Sequence, residues 1–203
     1  MKKPSFTQQL QSIFNTRIFG RQIYHLKEVD STNNFALHKA KEGAPEGTLV
    51  LADYQHQGRG QGDHTWYSPE GGIYLSIILR PRVSPSDINS WNMMAGLAVM
   101  ETLRDYIKGN ISLKFPNDVL VDGRKIAGIL TEMRGDFKHI HYLVMGIGIN
   151  INFQMHKIPE KLQAQMAILC LEGPEYSNKV TFLQKLLKNL EGCYLSFLER
   201  IGE

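Results

Sequence analysis

From Gln22 to Val29 apolar and polar residues alternate, which reads as a strand because successive side chains leave opposite faces. Asp30-Ser31-Thr32-Asn33 then offers N-cap side chains for a helix over roughly Asn34 to Lys41, and Gly43 and Pro45 stop it. Thr48 to Tyr54 is a nearly continuous apolar run, a buried strand, and Ile73 to Arg80 is another. Between them lies a glycine-rich loop, Gln55 to Trp66. Ser84-Pro85 opens a long helix that Gly109 stops; its apolar positions, from Trp91 through Leu97 and Met100 to Leu103, run almost all round, so it should be buried. A strand from Ile140 to Met145 runs into GIGININ, and Asn178 to Ile201 repeats apolar residues at helical spacing, with Gly192 a soft spot. The first 20 residues read as a short, weakly amphipathic helical lead-in, too short for a helix-turn-helix domain.

The stretch KFPNDVLVDGRKIAGILTE, Lys114 to Glu132, organises the rest. Asp122-Gly123 between two apolar runs is a strong hairpin signal, because both central residues of a type I′ turn need positive φ. With that turn, Leu120 faces Lys125 and Asp118 faces Ala127. Asp118, Leu120, Lys125, Ala127 and Ile129 then share one side of the hairpin. Lys125 is either a solvated lysine in a weak surface pair with Asp118 or the lining of a pocket that takes an anion.

The chain has 203 residues, 42% hydrophobic and 21% charged, which is one ordinary globular domain of mixed β and α. Its net charge of +3 is mild, and the lysines and arginines are scattered, so nothing implies nucleic acid. No window approaches the ~18 apolar residues of a membrane span, and the N-terminus lacks the apolar core of a signal peptide. Cys170 and Cys193 are far apart, and reduced thiols in a cytoplasmic protein are the default. HExxH, CxxC and G-x-S-x-G are all absent, so a zinc site and a serine nucleophile are unsupported and no metal site is assigned.

Three further stretches carry chemistry. In YQHQGRGQGDHTW, Gly58, Gly60 and Gly62 leave backbone N–H groups free to approach an anion, and Arg59 can present a bidentate fork. Trp66 can stack on a flat base or fill a core. At Asp30 to Asn34 the helix cap explains the residues fully, yet the same hydroxyls and N–H groups can take a polar head group. Gly146 and Gly148 occupy alternate strand positions, which weakens a strand unless something packs close on that face. A tight helix crossing or a flat ligand would each do so.

The succession DSTN at 30–33, GRG at 58–60 followed by Trp66, KFPND at 114–118, GRKIAGIL at 123–130 and GIGIN at 146–150 resembles the biotin–protein ligase family, from about residue 28 to about residue 200. The resemblance implies an α+β fold: a mixed, largely antiparallel sheet flanked by helices, like the class II aminoacyl-tRNA synthetase catalytic domain. It implies a single catalytic domain over residues 1–203, without the winged-helix DNA-binding domain of some relatives and with their small C-terminal β domain absent or truncated. The implied reaction joins biotin and MgATP into biotinyl-5′-AMP and pyrophosphate, then passes the acyl group to a lysine of a biotin carboxyl carrier protein, in the cytoplasm and without DNA or membrane. Dimerisation through the central sheet is common in the family, so a homodimer stays open.

By resemblance, Lys125, Arg59 and Asp118 are catalytic. Lys125 stands beside the biotin carboxylate and α-phosphate, Arg59 closes over biotin and the adenylate, and Asp118 orients the acceptor amine. Ser31, Thr32, Asn33, Gln55 and Gly58 match biotin-binding positions, with Gly128, Gly146 and Gly148 as walls of the slot. Gly60, Gln61, Trp66, Asn117 and Asn150 match the nucleotide end, with Mg²⁺ arriving on the ATP phosphates. Many relatives have a second arginine where this chain has Gln61, so the adenylate should be held less firmly. Lipoate ligases and octanoyl transferases, sister enzymes of the same fold, are the alternative, but their R-R-x-S-G-G-G-type loop is absent. A non-catalytic relative that binds biotin is the other.

Overall fold

The computed structural model describes residues 8, 10, 15–82, 88–136, 138–153, 158–172 and 178–201. Seven strands form one sheet: β1 Ile23–Val29, β2 Leu49–Gln55, β3 Ile73–Leu79, β4 Ile111–Lys114, β5 Asp118–Val121, β6 Arg124–Gly135 and β7 Ile140–Ile149. Their order is β1-β2-β3-β7-β6-β5-β4. β1 and β2 are parallel, joined by helix α1, Thr32–Lys41; every other neighbouring pair is antiparallel. Helix α2, Ile88–Leu103, follows β3; short helices α3, Glu160–Gln163, and α4, Leu169–Glu172, precede the final helix α5, Lys179–Ile201.

Side chains alternate across the pleat, so each strand offers one set to each face. Leu75, Ile77, Ile129 and Ile147 join Trp91 and Leu187 in the main core beneath α2 and α5. Each such fully buried aliphatic stabilises the fold by roughly 1.5–3 kcal/mol. The opposite set splits. Val50, Ile78 and Val144 pack under Ala36 and Ala40 of α1, so that helix covers only one end of the second face. The uncovered remainder carries the site.

Two polar clamps hold the frame. Glu191 on α5 accepts the backbone N–H of Arg17, Ile18 and Phe19 at 2.6, 2.6 and 2.9 Å, which fastens the entry segment against the core. Arg80 donates to the carbonyls of Ala40 and Ala44 at 2.6 and 3.0 Å and so satisfies the C-terminal end of α1. No described helix is long and apolar enough to cross a membrane.

The fold agrees with the α+β expectation, and the strand and helix positions follow the apolar pattern with specific differences. The turn has φ of 48° at Asp122 and 80° at Gly123, as a type I′ hairpin requires. The register beyond it does not follow. Leu120 pairs with Lys125, but Asp118 pairs with Gly128 rather than Ala127, because a bulge lies between Val119 and Leu120 of β5 and absorbs one extra residue of β6. Ile126 and Ala127 are therefore both buried on the core side, and Ala127 and Ile129 do not share a face with Lys125. α1 starts at Thr32, and Ser31 sits at the N-cap with extended backbone and no side-chain capping bond. Residues 83–87, including the expected Ser84-Pro85 start, lie outside the described residues; α2 ends at Leu103, well before Gly109. Leu97, expected inside, is 53% exposed. Most of the lead-in lies outside the described residues, and 15–20 is turn rather than helix.

Candidate active site

One row of residues crosses the uncovered face. Tyr74 of β3 pairs with Gly148 of β7, Gly148 with Gly128 of β6, Gly128 with Asp118 of β5, and Asp118 with Lys114 of β4. The next row sets Ser76 against Gly146 and Leu130. With no side chains on the three glycines, the middle of the sheet is a shallow floor. Other groups use the space: a Cβ on Gly128 would lie 2.8 Å from Trp66 Cζ3, and one on Gly146 would strike the Asn33 side chain.

The bulge places Lys125 on this floor. Its Nζ lies 2.6 Å from Asp118 Oδ1 and 5.2 Å from the centre of the Trp66 ring. Asp118 Oδ1 is buried, and beside the ammonium it keeps a second lone pair for another donor. The Lys125 backbone is fixed from its far side. Its N–H donates to Gln165 O at 2.8 Å, and its carbonyl accepts from Ala167 N at 2.9 Å and from Asn150 Nδ2 at 3.1 Å. Asn150 is buried, and among the described residues its Oδ1 has no protein partner.

The glycine loop folds back on itself. Gly60 N donates to His64 O at 2.7 Å and Trp66 N to Gly58 O at 2.8 Å, which turns Trp66 onto the glycine floor. Arg59 Nη1 donates to Asn34 Oδ1 at 2.8 Å and to Glu132 Oε2 at 3.0 Å. Gly58 lies so close to Trp66 O and Ser68 Oγ that a side chain there would collide with both.

Two cavities meet at this point. The first, about 300 Å³, is bounded by Ser31, Thr32, Asn33 and Gln55 at one end and by the glycine floor below. The second, about 520 Å³, is walled by Tyr67, Asn150 and the 162–166 segment. Lys114, Asp118, Lys125, His64, Thr65 and Trp66 line both. A carboxylate entering from one side and a polyphosphate from the other would meet beside a lysine. Burial raises the Tyr74 hydroxyl above its ordinary range, so that group stays protonated and donates to Pro69 O at 2.6 Å.

Of the residues singled out in the sequence, Ser31, Thr32, Asn33, Gln55, Arg59, Gly60, Gln61, Trp66, Asn117, Asp118, Lys125, Gly128, Gly146 and Gly148 line the first cavity, and Asn150 lines the second. Gly58 belongs to the glycine loop but lines neither cavity. Asn117 lies on the first cavity rather than the second, and its Nδ2 is engaged with Ile129 O at 3.1 Å. Trp66 is shared by both cavities. Sequence reasoning passed over Glu132, which the motif alone leaves unmarked, and Ser76, whose signal is a lone hydroxyl inside the fully buried strand IYLSIIL. It also passed over the 162–166 wall, which has no motif.

Residues 26–150, which contain α1, the glycine loop and both halves of the floor, match the model of the biotin/lipoate A/B protein ligase family. The chain belongs to the biotin/lipoate A/B protein ligase family. Among relatives of this ligase family, the bifunctional ligase/repressor BirA of Bacillus subtilis is 32% identical over 201 residues, covering 98% of this chain and 62% of that protein. The biotin–[acetyl-CoA-carboxylase] ligase of Mycobacterium tuberculosis is 31% identical over 177 residues, 84% of this chain and 63% of that one. The chain thus spans somewhat under two thirds of the length of these curated relatives. A solved structure, the biotin protein ligase of Aquifex aeolicus in complex with biotin and ATP, superposes with a TM-score of 0.75 at 32% identity, covering 88% of this chain and 72% of that one.

Proposed function

We propose that this ligase-family protein activates biotin with ATP to biotinyl-5′-AMP and transfers the acyl group to a lysine amine of a biotin carboxyl carrier protein. The observation that carries the reading is the pair of cavities joined at Lys125 and Asp118 above a floor of glycines. Biotin occupies the first cavity, its ring end toward Ser31, Thr32, Asn33 and Gln55, its chain along Gly128, Gly146 and Gly148, and its carboxylate at Lys125. ATP occupies the second, with its base end toward Asn150, whose Oδ1, without a partner among the described residues, is an acceptor for an exocyclic amine. Gly60, Gln61, Trp66 and Asn117 close the passage between them.

Attack of a carboxylate on a triphosphate brings like charges together, and the transition state concentrates more. Fixed cations aimed at that point supply most of the catalysis. Lys125 is held there by its backbone bonds and by Asp118. Arg59 reaches the same charge from the loop once anionic ligand competes with Glu132. No enzyme nucleophile is needed, because the adenylate is itself the activated acyl group. In the second step Asp118 Oδ1 accepts a hydrogen bond from the incoming amine and orients it. Mg²⁺ travels on the ATP phosphates, which with water supply most of its oxygen ligands; among the described residues no three His, Cys, Asp or Glu side chains converge on a metal position. We place the reaction in the cytoplasm, with the carrier protein as macromolecular partner and without a role for DNA.

The test is incubation with MgATP and, in parallel, biotin, lipoate or octanoate, followed by mass spectrometry of the acyl-AMP. Biotinyl-AMP alone is the expected product. An adenylate of lipoate or octanoate moves the protein to the sister enzymes, and biotin binding without any adenylate reduces it to a binding role.

A further inference from the structure

From the lining of the first cavity into the core behind it runs a chain of polar side chains. Gln55 Oε1 accepts from Thr32 N at 2.8 Å and from Thr32 Oγ1 at 3.0 Å. Gln55 Nε2 donates to Ser68 Oγ at 2.8 Å, and the Ser68 hydroxyl donates to the Trp66 carbonyl at 3.0 Å. On the other side Ser76 Oγ lies 2.9 Å from Thr32 Oγ1 and 2.6 Å from Asn33 Oδ1. Asn33 Nδ2 donates to Glu132 Oε2 at 3.0 Å, and the same carboxylate oxygen receives Arg59. The chain therefore runs from Arg59 to the Trp66 carbonyl, two ends of the glycine loop, through the floor of the cavity. Ser68 and Ser76 are 3% and 0% exposed, and neither borders either cavity.

Hydroxyls and amides can point two ways, so something must fix the direction of this chain. Ser68 does so at one end. Its hydrogen is committed to the Trp66 carbonyl, so it offers only lone pairs to Gln55 Nε2, and together with the Thr32 backbone N–H, which can only donate to Oε1, it locks the amide in place. Thr32 then spends its hydrogen on Gln55 and is left with acceptor capacity. Ser76 does so at the other end: its one hydrogen is the donor available to Thr32 Oγ1 and Asn33 Oδ1 together. Thr32 Oγ1 has two lone pairs, so it can accept from Ser76 on one and keep the other for a ligand N–H.

We infer that Ser68 and Ser76 are positioning residues that set the direction of this hydrogen-bond chain, so that Thr32 presents an acceptor to the N–H groups of the substrate's cyclic urea. The inference rests on the reading of the first cavity as the biotin site. It acts through Thr32 and Gln55, since neither serine reaches the ligand.

The test is calorimetric titration of biotin into the wild type, Ser76→Ala, Ser68→Ala, Thr32→Val and Ser76→Ala/Thr32→Val, with thermal melts on each. Ser76→Ala and Ser68→Ala are expected to weaken biotin about tenfold, the effect of about one buried hydrogen bond. The KM for ATP at saturating biotin should stay within about twofold, a split that general loosening of the site would not produce. Ser76→Ala should add nothing further to Thr32→Val, because the serine acts through that hydroxyl. Should Ser76→Ala fail to fold, Ser68→Ala paired with Gln55→Leu carries the same cycle. Unchanged biotin affinity in the folded alanine variants, equal losses for biotin and ATP, or full additivity with Thr32→Val overturns the inference alone. A wild-type protein that does not take up biotin overturns the reading of the cavity and the inference with it.

Discussion

Gly128→Ala is the smallest change that reaches the meeting point of the two cavities. The new methyl would stand 2.8 Å from Trp66 Cζ3, 3.2 Å from Lys125 Cε and 3.3 Å from Trp66 Cε3. Carbon atoms rest at about 3.5–4.0 Å, so the indole must lift by about 0.8 Å and the lysine stem give by about 0.4 Å. Lys125 can bend, since its side chain is 34% exposed. Trp66 is tethered at its backbone by Gly58 and Ser68, so it tilts within the loop. Alanine in a strand gains about 0.5–1 kcal/mol over glycine through the unfolded chain, which offsets a comparable loss in indole packing. Stability should therefore change by less than about 1 kcal/mol, a Tm shift of at most about 4 °C. Catalysis should suffer far more. Displacing positioned groups by about 1 Å costs on the order of 100-fold in rate, so biotin-dependent pyrophosphate release should fall by about that factor. The assay is initial-rate pyrophosphate release at saturating biotin and MgATP beside a thermal melt. Wild-type rates in a folded Gly128→Ala protein would refute the claim that the bare floor exists for a ligand.

Other substitutions separate binding from scaffold. Arg59→Ala should let biotinyl-AMP escape faster, because the loop carries a single arginine and Gln61 cannot replace it; an unchanged adenylate dissociation rate in stopped flow would count against that role. Glu191→Ala strands three backbone N–H groups and should cost roughly 3 kcal/mol, or about 9 °C in Tm, with no change in biotin affinity; a melt within about 1 °C of wild type would remove the clamp from the account. Asp136 accepts backbone N–H groups of Lys138 and His139, which holds its carboxyl below the ordinary 3.8. A depressed carboxyl adds stability above its unfolded value and loses it as pH falls through the folded one. Asp136→Asn should therefore lower Tm slightly at pH 7 and not at all once the medium is more acidic than the folded carboxyl. A pH-independent difference would contradict the assignment.

Much of the site was legible because its signals are local. Asp122-Gly123 marks its turn through φ alone, and the alternate glycines at 146 and 148 mark a floor that needs close approach. Arg59 among glycines marks the loop that borders the first cavity. The bulge beside Lys125 was not legible. It depends on which of two apolar neighbours, Ile126 and Ala127, turns toward the core, and both do. The strand β4 was missed because ISLK is four residues long with polar flanks and is held by its partner rather than by its own pattern. Ser68, Ser76 and Glu132 act through partners far away in the chain, so no spacing announces them. The expected partnership of Lys125 and Asp118 came out right for a reason different from the one the simple register gives: the bulge moves Asp118 opposite Gly128 and leaves Lys125 above the same floor.

We propose that Lys125, at the junction of the two cavities, serves the joining of biotin to AMP. Biotin-dependent exchange of labelled pyrophosphate into ATP, measured for the wild type and Lys125→Ala, tests it most directly. Exchange should require biotin, should not be supported by lipoate or octanoate, and should fall by roughly 100- to 1,000-fold in Lys125→Ala while the melting temperature is kept. Exchange that persists in the folded Lys125→Ala protein, or that proceeds without biotin, would contradict it.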